Sequence, residues 1–125
     1  MTVVDTNILI RFATRDVEAL AEQADAMISA FPARSIVVLA AVVEEYCFVL
    51  EKNKAYLFDR DFVAGSLATL LKRPQFIVSE TTWEALEMFR THRKLDFVDC
   101  LLAVKAGGKK AQVLTFDKEL QAVLA

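Results

Sequence analysis

The chain alternates short apolar segments with longer segments of helical period. The first apolar segment begins at Thr2 and turns at 5–7, where Thr6 and Asn7 can accept hydrogen bonds from the first free N–H groups of a helix. Short runs rich in β-branched residues predict further strands at 35–39, 76–79 and 112–116. Strands that alternate with helices imply a mainly parallel sheet with helices on both faces.

The longer segments predict helices, because their apolar residues recur every three or four positions. After the helix that follows Asn7, the pattern predicts helices over 16–30, 40–52 and 59–71, one from Trp83 capped by Thr81 and Thr82, one from Asp96 to Gly107-Gly108, and one over 117–124.

Length and composition indicate how many domains this α/β pattern forms. A chain of 125 residues with 55% hydrophobic residues supplies one core, so we predict a single domain over residues 1–125. Only 3 Gly and 2 Pro are present, which favours long regular elements over a turn-rich β-sandwich.

Charge and hydropathy narrow the class of protein. A formal charge of −2 gives no overall basic field, so any nucleic-acid binding must be local. The longest apolar run, 36–43, is far shorter than the roughly 20 residues that span a bilayer. The chain starts without a basic leader, and its two isolated cysteines, Cys47 and Cys100, suit buried thiols. We therefore expect a cytoplasmic protein.

Two acids stand directly after predicted strands. Asp5 follows Val3-Val4, and Asp117 follows the last apolar run at 112–116. If the strands are parallel, both carboxylates open onto one edge of the sheet, where ligands collect in open α/β folds. Asp is also a good helix N-cap, and this simpler role stays open for both residues.

Two further acids are selected by helical projection. Leu39, Val42, Val43, Tyr46 and Leu50 form the predicted apolar stripe of the helix over 40–52. At 100° per residue Glu45 lies on the border of this stripe and Glu44 lies nearly opposite it, which predicts Glu45 for the site and Glu44 for solvent. By the same projection Asp99 faces the close-packed side of its helix, and Asp96 is an N-terminal cap or a supporting group.

Carboxylates that converge without a cation would repel one another, so the pattern predicts a metal. A set of acids alone favours Mg²⁺ or Mn²⁺, because these ions take oxygen ligands whereas Zn²⁺ prefers sites with His or Cys. Such a site suits hydrolysis of a phosphodiester bond. The single histidine, His92, is not part of a recognisable Ser or Cys triad motif, and the sequence has no glycine-rich phosphate loop. Neither of these alternative chemistries is therefore indicated.

The chain resembles a PIN-domain ribonuclease and, more narrowly, a VapC-type toxin of a type II toxin–antitoxin module. Four segments in the family's order carry this resemblance: 3–11 with Asp5-Thr6-Asn7, 45–50 with Glu45, 96–103 with Asp96 and Asp99, and 115–117 with Thr115 and Asp117. It implies a Rossmann-like three-layer α/β/α sandwich with a mainly parallel sheet, and cleavage of RNA with Mg²⁺ or Mn²⁺ as cofactor.

The resemblance also assigns roles. Asp5, Glu45, Asp99 and Asp117 match the family's catalytic, metal-binding acids, and Thr6, Asn7 and Thr115 match its supporting polar residues. Asp96, selected by helical projection, joins them as a supporting residue. It further implies a homodimer and a VapB-like antitoxin that covers the groove.

An RNA substrate needs basic side chains near the acids. Arg11, the nearest in sequence to Asp5, is the predicted substrate-binding residue. A wider rim of phosphate contacts would draw on Arg15, Lys72, Arg73, Arg93, Lys94, Lys105, Lys109 and Lys110.

Two other classes of protein remain as alternatives. One is a PIN-fold module that binds RNA or protein without catalysis, which would be marked by loss of the acids. The other is a receiver-like phosphoacceptor domain, which would need paired acids after the first strand and a phosphoacceptor Asp at the end of a central strand, where Ile77-Val78-Ser79 has none.

Overall fold

A computed structural model describes residues 1–109 and 111–125 of the chain, without the side chains of residues 108 and 109. In this part, three parallel strands and seven helices confirm the predicted α/β fold. The chain divides into two compact units, residues 1–78 and 79–125. No helix among the described residues is both long enough and apolar enough to cross a membrane.

The first unit is built on a parallel sheet. Strands β1 (Thr2–Val3), β2 (Ile36–Val37) and β3 (Phe76–Ile77) lie in the order β1-β2-β3. Thr2 pairs with Ile36, and Ile36 pairs with Phe76. Because the strands are parallel, the chain leaves β1 and β2 at the same edge of the sheet. The segment after β1 holds Asp5, and the helix after β2 holds Glu44 and Glu45.

Four helices complete the first unit. They are α1 (Thr6–Thr14), α2 (Glu18–Ser29), α3 (Ala40–Lys52) and α4 (Arg60–Leu71). Asp59 caps α4 by accepting a hydrogen bond from Phe62 N at 2.8 Å, which satisfies a backbone donor that the helix leaves unpaired. Helix α1 packs against α2, α3 and α4.

A buried ion pair joins the end of α3 to the start of α4. Glu51 Oε2 accepts a hydrogen bond from Arg60 Nε at 2.8 Å, and Glu51 Oε1 accepts one from Arg60 Nη2 at 3.3 Å. The two side chains are only 9% (Arg60) and 14% (Glu51) exposed. Their charges are therefore held in a region from which water is largely excluded.

Tyr46 is fully buried in the first unit and keeps a polar contact. Its hydroxyl lies 2.8 Å from Ser66 Oγ, and Ser66 Oγ donates to Val63 O at 3.2 Å. Burial raises the pKa of Tyr46 to about 12, because a phenolate there would lose its hydration.

This raised pKa predicts loss of stability at high pH. The unfolded chain releases the phenolic proton near pH 10 and the folded chain only near 12, so the stabilisation is complete below pH 10 and is lost between these values. The free energy of unfolding should fall by roughly 2–3 kcal/mol over this range. Urea unfolding of wild type and Tyr46→Phe at several pH values checks this. The variant should lack this part of the alkaline loss, and parallel pH curves would contradict the prediction.

The second unit consists of helices in its described part. These are α5 (Glu80–Thr91), α6 (Phe97–Lys109) and α7 (Lys118–Leu124). The rings of Phe89 in α5 and Phe97 in α6 meet edge to face with centroids 6.1 Å apart. Leu95 in the turn between these helices is 2% exposed. These apolar contacts fix the turn that leads into the first acids of α6.

Several sequence predictions about elements are wrong. Residues 112–116, where the last strand is predicted, form no strand in the described part of the chain, and Leu114 (96%) and Phe116 (102%) are exposed. Ser79, rather than Thr81 and Thr82, caps α5, because Ser79 Oγ accepts the hydrogen bond from Thr82 N. Helix α6 continues through Gly107 to Lys109 instead of ending at the glycine pair.

Candidate active site

Asp5 lies between β1 and α1 and caps the helix. Its Oδ1 accepts a hydrogen bond from Thr6 N at 2.8 Å, while the residue itself is exposed. The backbone of Thr6, rather than its side chain, therefore orients Asp5. Thr6 is buried and the next supporting residue, Asn7, is exposed.

The orientation predicted for Glu44 and Glu45 is wrong. The buried residues of α3 are Val43, Tyr46, Cys47 and Leu50, whereas Leu39 precedes the helix and is 49% exposed. The buried stripe is therefore rotated towards Glu44, which is half-buried, and Glu45 is exposed. The choice of Glu45 as an acid of the site thus depends on the family resemblance rather than on helical projection.

Asp96 and Asp99 cap the start of α6 reciprocally. Asp96 Oδ1 accepts a hydrogen bond from Asp99 N at 2.8 Å, and Asp99 Oδ2 accepts one from Asp96 N at 3.2 Å. This arrangement follows the logic of a capping box, in which two side chains each satisfy the other residue's backbone donor. Asp96 is a cap as predicted, but Asp99 has a capping role that the sequence analysis did not assign.

Asp117 caps α7 and lies within electrostatic range of Asp99. Asp117 Oδ1 accepts a hydrogen bond from Leu120 N at 3.0 Å, and the N–H of Asp117 donates to Thr115 Oγ1 at 3.0 Å. Thr115 thus contacts the backbone of Asp117. Burial raises the pKa of Asp99, and the negative charges of Asp96 and Asp117 raise it further.

Three of the four predicted acids use their carboxylate oxygens in the same way. In Asp5, Asp99 and Asp117 one oxygen accepts a backbone N–H at the start of a helix, and the other accepts none of the hydrogen bonds found among the described residues. The capping role and a ligand role are therefore compatible, since the cap orients the carboxylate and leaves its second oxygen available.

The oxygen chemistry of these acids fits Mg²⁺ or Mn²⁺. Within the described part of either unit, however, no three His, Cys, Asp or Glu side chains are grouped closely enough to hold a metal ion. The donor type therefore matches the predicted cofactor, and the assembly of the acids into one site stays a prediction.

Arg11, the predicted substrate-binding residue, makes an ion pair with Asp16. The distance from Arg11 Nη1 to Asp16 Oδ2 is 2.9 Å, and Tyr56 Oη and Thr14 Oγ1 also donate to Asp16 at 3.0 Å each. Although burial acts in the opposite direction, these hydrogen bonds lower the pKa of Asp16.

The sequence analysis missed this Asp16 cluster. The five-residue spacing between Arg11 and Asp16 is not a helical neighbour spacing. Arg11 and Asp16 meet only because α1 ends at Thr14 and Arg15 adopts a left-handed conformation, with φ of 51°. Asp16 draws the Arg11 guanidinium towards the end of α1 opposite Asp5, so the prediction that Arg11 serves a site at Asp5 gains no support.

The predicted rim includes cations with different surroundings. Arg15 pairs with Glu18 at 2.6 Å, and Arg73 pairs with Asp25 at 2.8 Å. Lys94, in contrast, is 79% exposed, and its ion pair with Glu119 is long, at 3.7 Å. Lys110 and the side chain of Lys109 lie outside the described residues.

Comparison with known proteins identifies the family. The sequence profile of the PIN domain matches residues 2–124, so the chain belongs to the PIN domain family. PIN domains are generally nucleases, and they usually use divalent metals. Neither a curated protein nor a solved structure gives a significant match to the chain.

Proposed function

We propose that the protein is a Mg²⁺- or Mn²⁺-dependent endoribonuclease, the toxin of a VapBC-type toxin–antitoxin module. The observation that carries this proposal is that Asp5, Asp99 and Asp117, which match acids of the family resemblance, each have one oxygen that accepts a backbone N–H at the start of a helix and a second oxygen that is available. Asp59 has a similar cap but matches none of these acids. Membership of a family of nucleases adds the type of reaction.

The residues of the chain have separate tasks in this proposal. The backbone N–H groups of Thr6, Asp96 and Leu120 orient the acids, so that the free energy of ordering them is supplied by folding rather than by binding. Bound Mg²⁺ would lower the pKa of a water molecule and neutralise charge on the attacking and leaving oxygens of the phosphodiester. Asp96 and Thr115 would act as supporting groups, and Glu45 would complete the set of acids.

The proposed partners and location follow from the same resemblance. RNA would be the substrate, a VapB-like antitoxin would silence the enzyme, and the toxin would form a homodimer in the cytoplasm. These proposals rest on the four segments that resemble the VapC-type family, since no homologue gives the subtype.

A cleavage assay with the purified wild type tests the proposed activity. Labelled single-stranded RNA should be cut internally when Mg²⁺ or Mn²⁺ is present and should stay intact in EDTA, with products that carry 5′-phosphate ends. Cleavage that is unaffected by EDTA would contradict the metal-dependent reaction. Binding of RNA without any cleavage, together with no saturable binding of Mn²⁺, would instead favour the non-catalytic module.

The adjacent glutamates provide a matched pair of variants. Although Glu44 is the more buried of the two, we expect Glu45→Gln to lower the rate of RNA cleavage by at least about 100-fold, because changes to residues that only support a metal ligand already cost about 10–100-fold. Glu44→Gln should stay within about tenfold of wild type. The two cleavage rates measured in Mg²⁺ decide the choice, and the opposite order would assign the site to Glu44.

A further inference from the structure

The turn between α5 and α6 presents a basic segment of the predicted rim to which the proposed function assigns no role. His92, Arg93 and Lys94 follow one another and are all exposed. With Leu95, Glu119 and Val123 they line a depression of about 220 Å³ in the second unit. Glu119 is the one acid among these lining residues, so positive charge prevails in the depression.

The backbone of this turn is fixed. His92 N donates to Met88 O at 2.8 Å, and Leu95 N donates to His92 O at 3.1 Å. Leu95 is buried, which anchors the end of the turn, and the two cationic residues before it are exposed. A fixed backbone lowers the conformational entropy lost when Arg93 and Lys94 bind a ligand.

The turn leads directly into the acids of α6. Lys94 is separated from Asp96 only by Leu95, and Asp99 lies in the first turn of α6. Asp96 and Asp99 repel a nucleic-acid backbone, so cations next to them would offset that repulsion where the strand approaches.

Lys94 is available to an anionic ligand. Its contact with Glu119 is long, at 3.7 Å, and the two side chains are 79% and 53% exposed. Pairs of this kind stabilise a protein by less than about 1 kcal/mol. Arg11 and Arg90, in contrast, are held by carboxylates at 2.9 Å and 2.5 Å.

We propose that Arg93 and Lys94 contact backbone phosphates of the RNA strand that enters the candidate active site. This inference rests on the proposed function, because it takes the substrate class from it. The position of the turn beside Asp96 and Asp99 favours the substrate over an acidic protein as its ligand. The contacts are electrostatic, so they should add affinity without reading the base sequence.

Binding measured without divalent metal tests this inference separately from cleavage. Fluorescence anisotropy of a labelled oligouridylate in EDTA would compare wild type with the double variant R93Q/K94Q. The matched control is K52Q/K54Q, which removes two exposed positive charges near the end of α3. A charge-retaining variant, R93K/K94R, tests whether charge is what matters, and thermal unfolding checks that every variant is folded.

We expect R93Q/K94Q to bind the oligouridylate at least about tenfold more weakly than wild type at low salt. The slope of log K against log salt should be less negative by about 1.4, because the variant loses two phosphate contacts on a single strand. R93K/K94R and K52Q/K54Q should bind within about threefold of wild type. An unchanged affinity and slope in R93Q/K94Q would overturn the inference, even if the wild type cleaves RNA. Weaker binding by this variant would support it, even if the wild type does not cleave.

Discussion

Asp99→Asn is expected to lower metal-dependent RNA cleavage by more than about 100-fold, since losing a metal ligand should cost more than the 10–100-fold typical of a supporting residue. The Asn side chain keeps an oxygen that can accept the hydrogen bond from Asp96 N, so the start of α6 should stay folded. What is lost is the negative charge of a half-buried carboxylate that lies within electrostatic range of Asp96 and Asp117.

Asp96→Asn is the control that the capping arrangement offers. It makes the same chemical change one helical turn away, at a residue that bonds to the same backbone segment. If Asp96 acts only by orienting Asp99, the loss of cleavage rate in Asp96→Asn should be at least about tenfold smaller than in Asp99→Asn. Cleavage rates in Mg²⁺, with thermal unfolding of both variants, test this. Equal losses, or a larger loss for Asp96→Asn, would contradict the assignment of Asp99 as the ligand.

Glu51→Ala is expected to destabilise the protein by about 3 kcal/mol, because the Arg60 guanidinium would lose the Glu51 carboxylate in a region that is largely shielded from water. For a chain of this length the midpoint of thermal unfolding should fall by roughly 10 °C. Thermal or urea unfolding at neutral pH measures the change directly.

Glu18→Ala provides the comparison. Glu18 pairs with Arg15 at an even shorter distance, 2.6 Å, but both side chains are close to half exposed, at 58% and 45%. An exposed pair of this kind should contribute less than about 1 kcal/mol. Similar losses in Glu51→Ala and Glu18→Ala would show that burial does not set the value of the Glu51–Arg60 pair.

Helical segments of the fold could be predicted closely from the sequence. The helix predicted over 40–52 is observed as Ala40–Lys52, and that predicted over 59–71 is observed as Arg60–Leu71 with Asp59 as its cap. Local signals suffice for these elements, since the helical period and the capping residues lie within the segment itself. Cys47 and Cys100 are buried, as predicted.

The incorrect predictions concern features that depend on contacts outside the segment itself. A strand needs a partner, and the apolar composition of 112–116 does not supply one. The direction of Glu44 and Glu45 depends on which helix face is buried, and the inclusion of Leu39 with the omission of Cys47 rotated the predicted stripe. The ion pair of Arg11 with Asp16 depends on where α1 ends, which its apolar period does not determine.

Of the candidate site, the sequence could predict acids at the starts of helices, whereas their assembly into one site stays a prediction. The sequence placed Asp5 and Asp117 correctly before α1 and α7, and it left open whether they were caps or ligands. The hydrogen bonds of Asp5 and Asp117 make both roles compatible, because a cap occupies only one oxygen of each carboxylate.

RNA cleavage in Mg²⁺ by wild type, Asp5→Asn and Asp59→Asn tests the central claim most directly. Asp5 and Asp59 both precede helices of the first unit and accept backbone hydrogen bonds of 2.8 Å, from Thr6 N and Phe62 N, so the two changes remove the same charge from the same type of position. The proposal predicts that wild type and Asp59→Asn cleave the RNA at similar rates and that Asp5→Asn is slower by at least about 100-fold. Equal cleavage by all three proteins would contradict it.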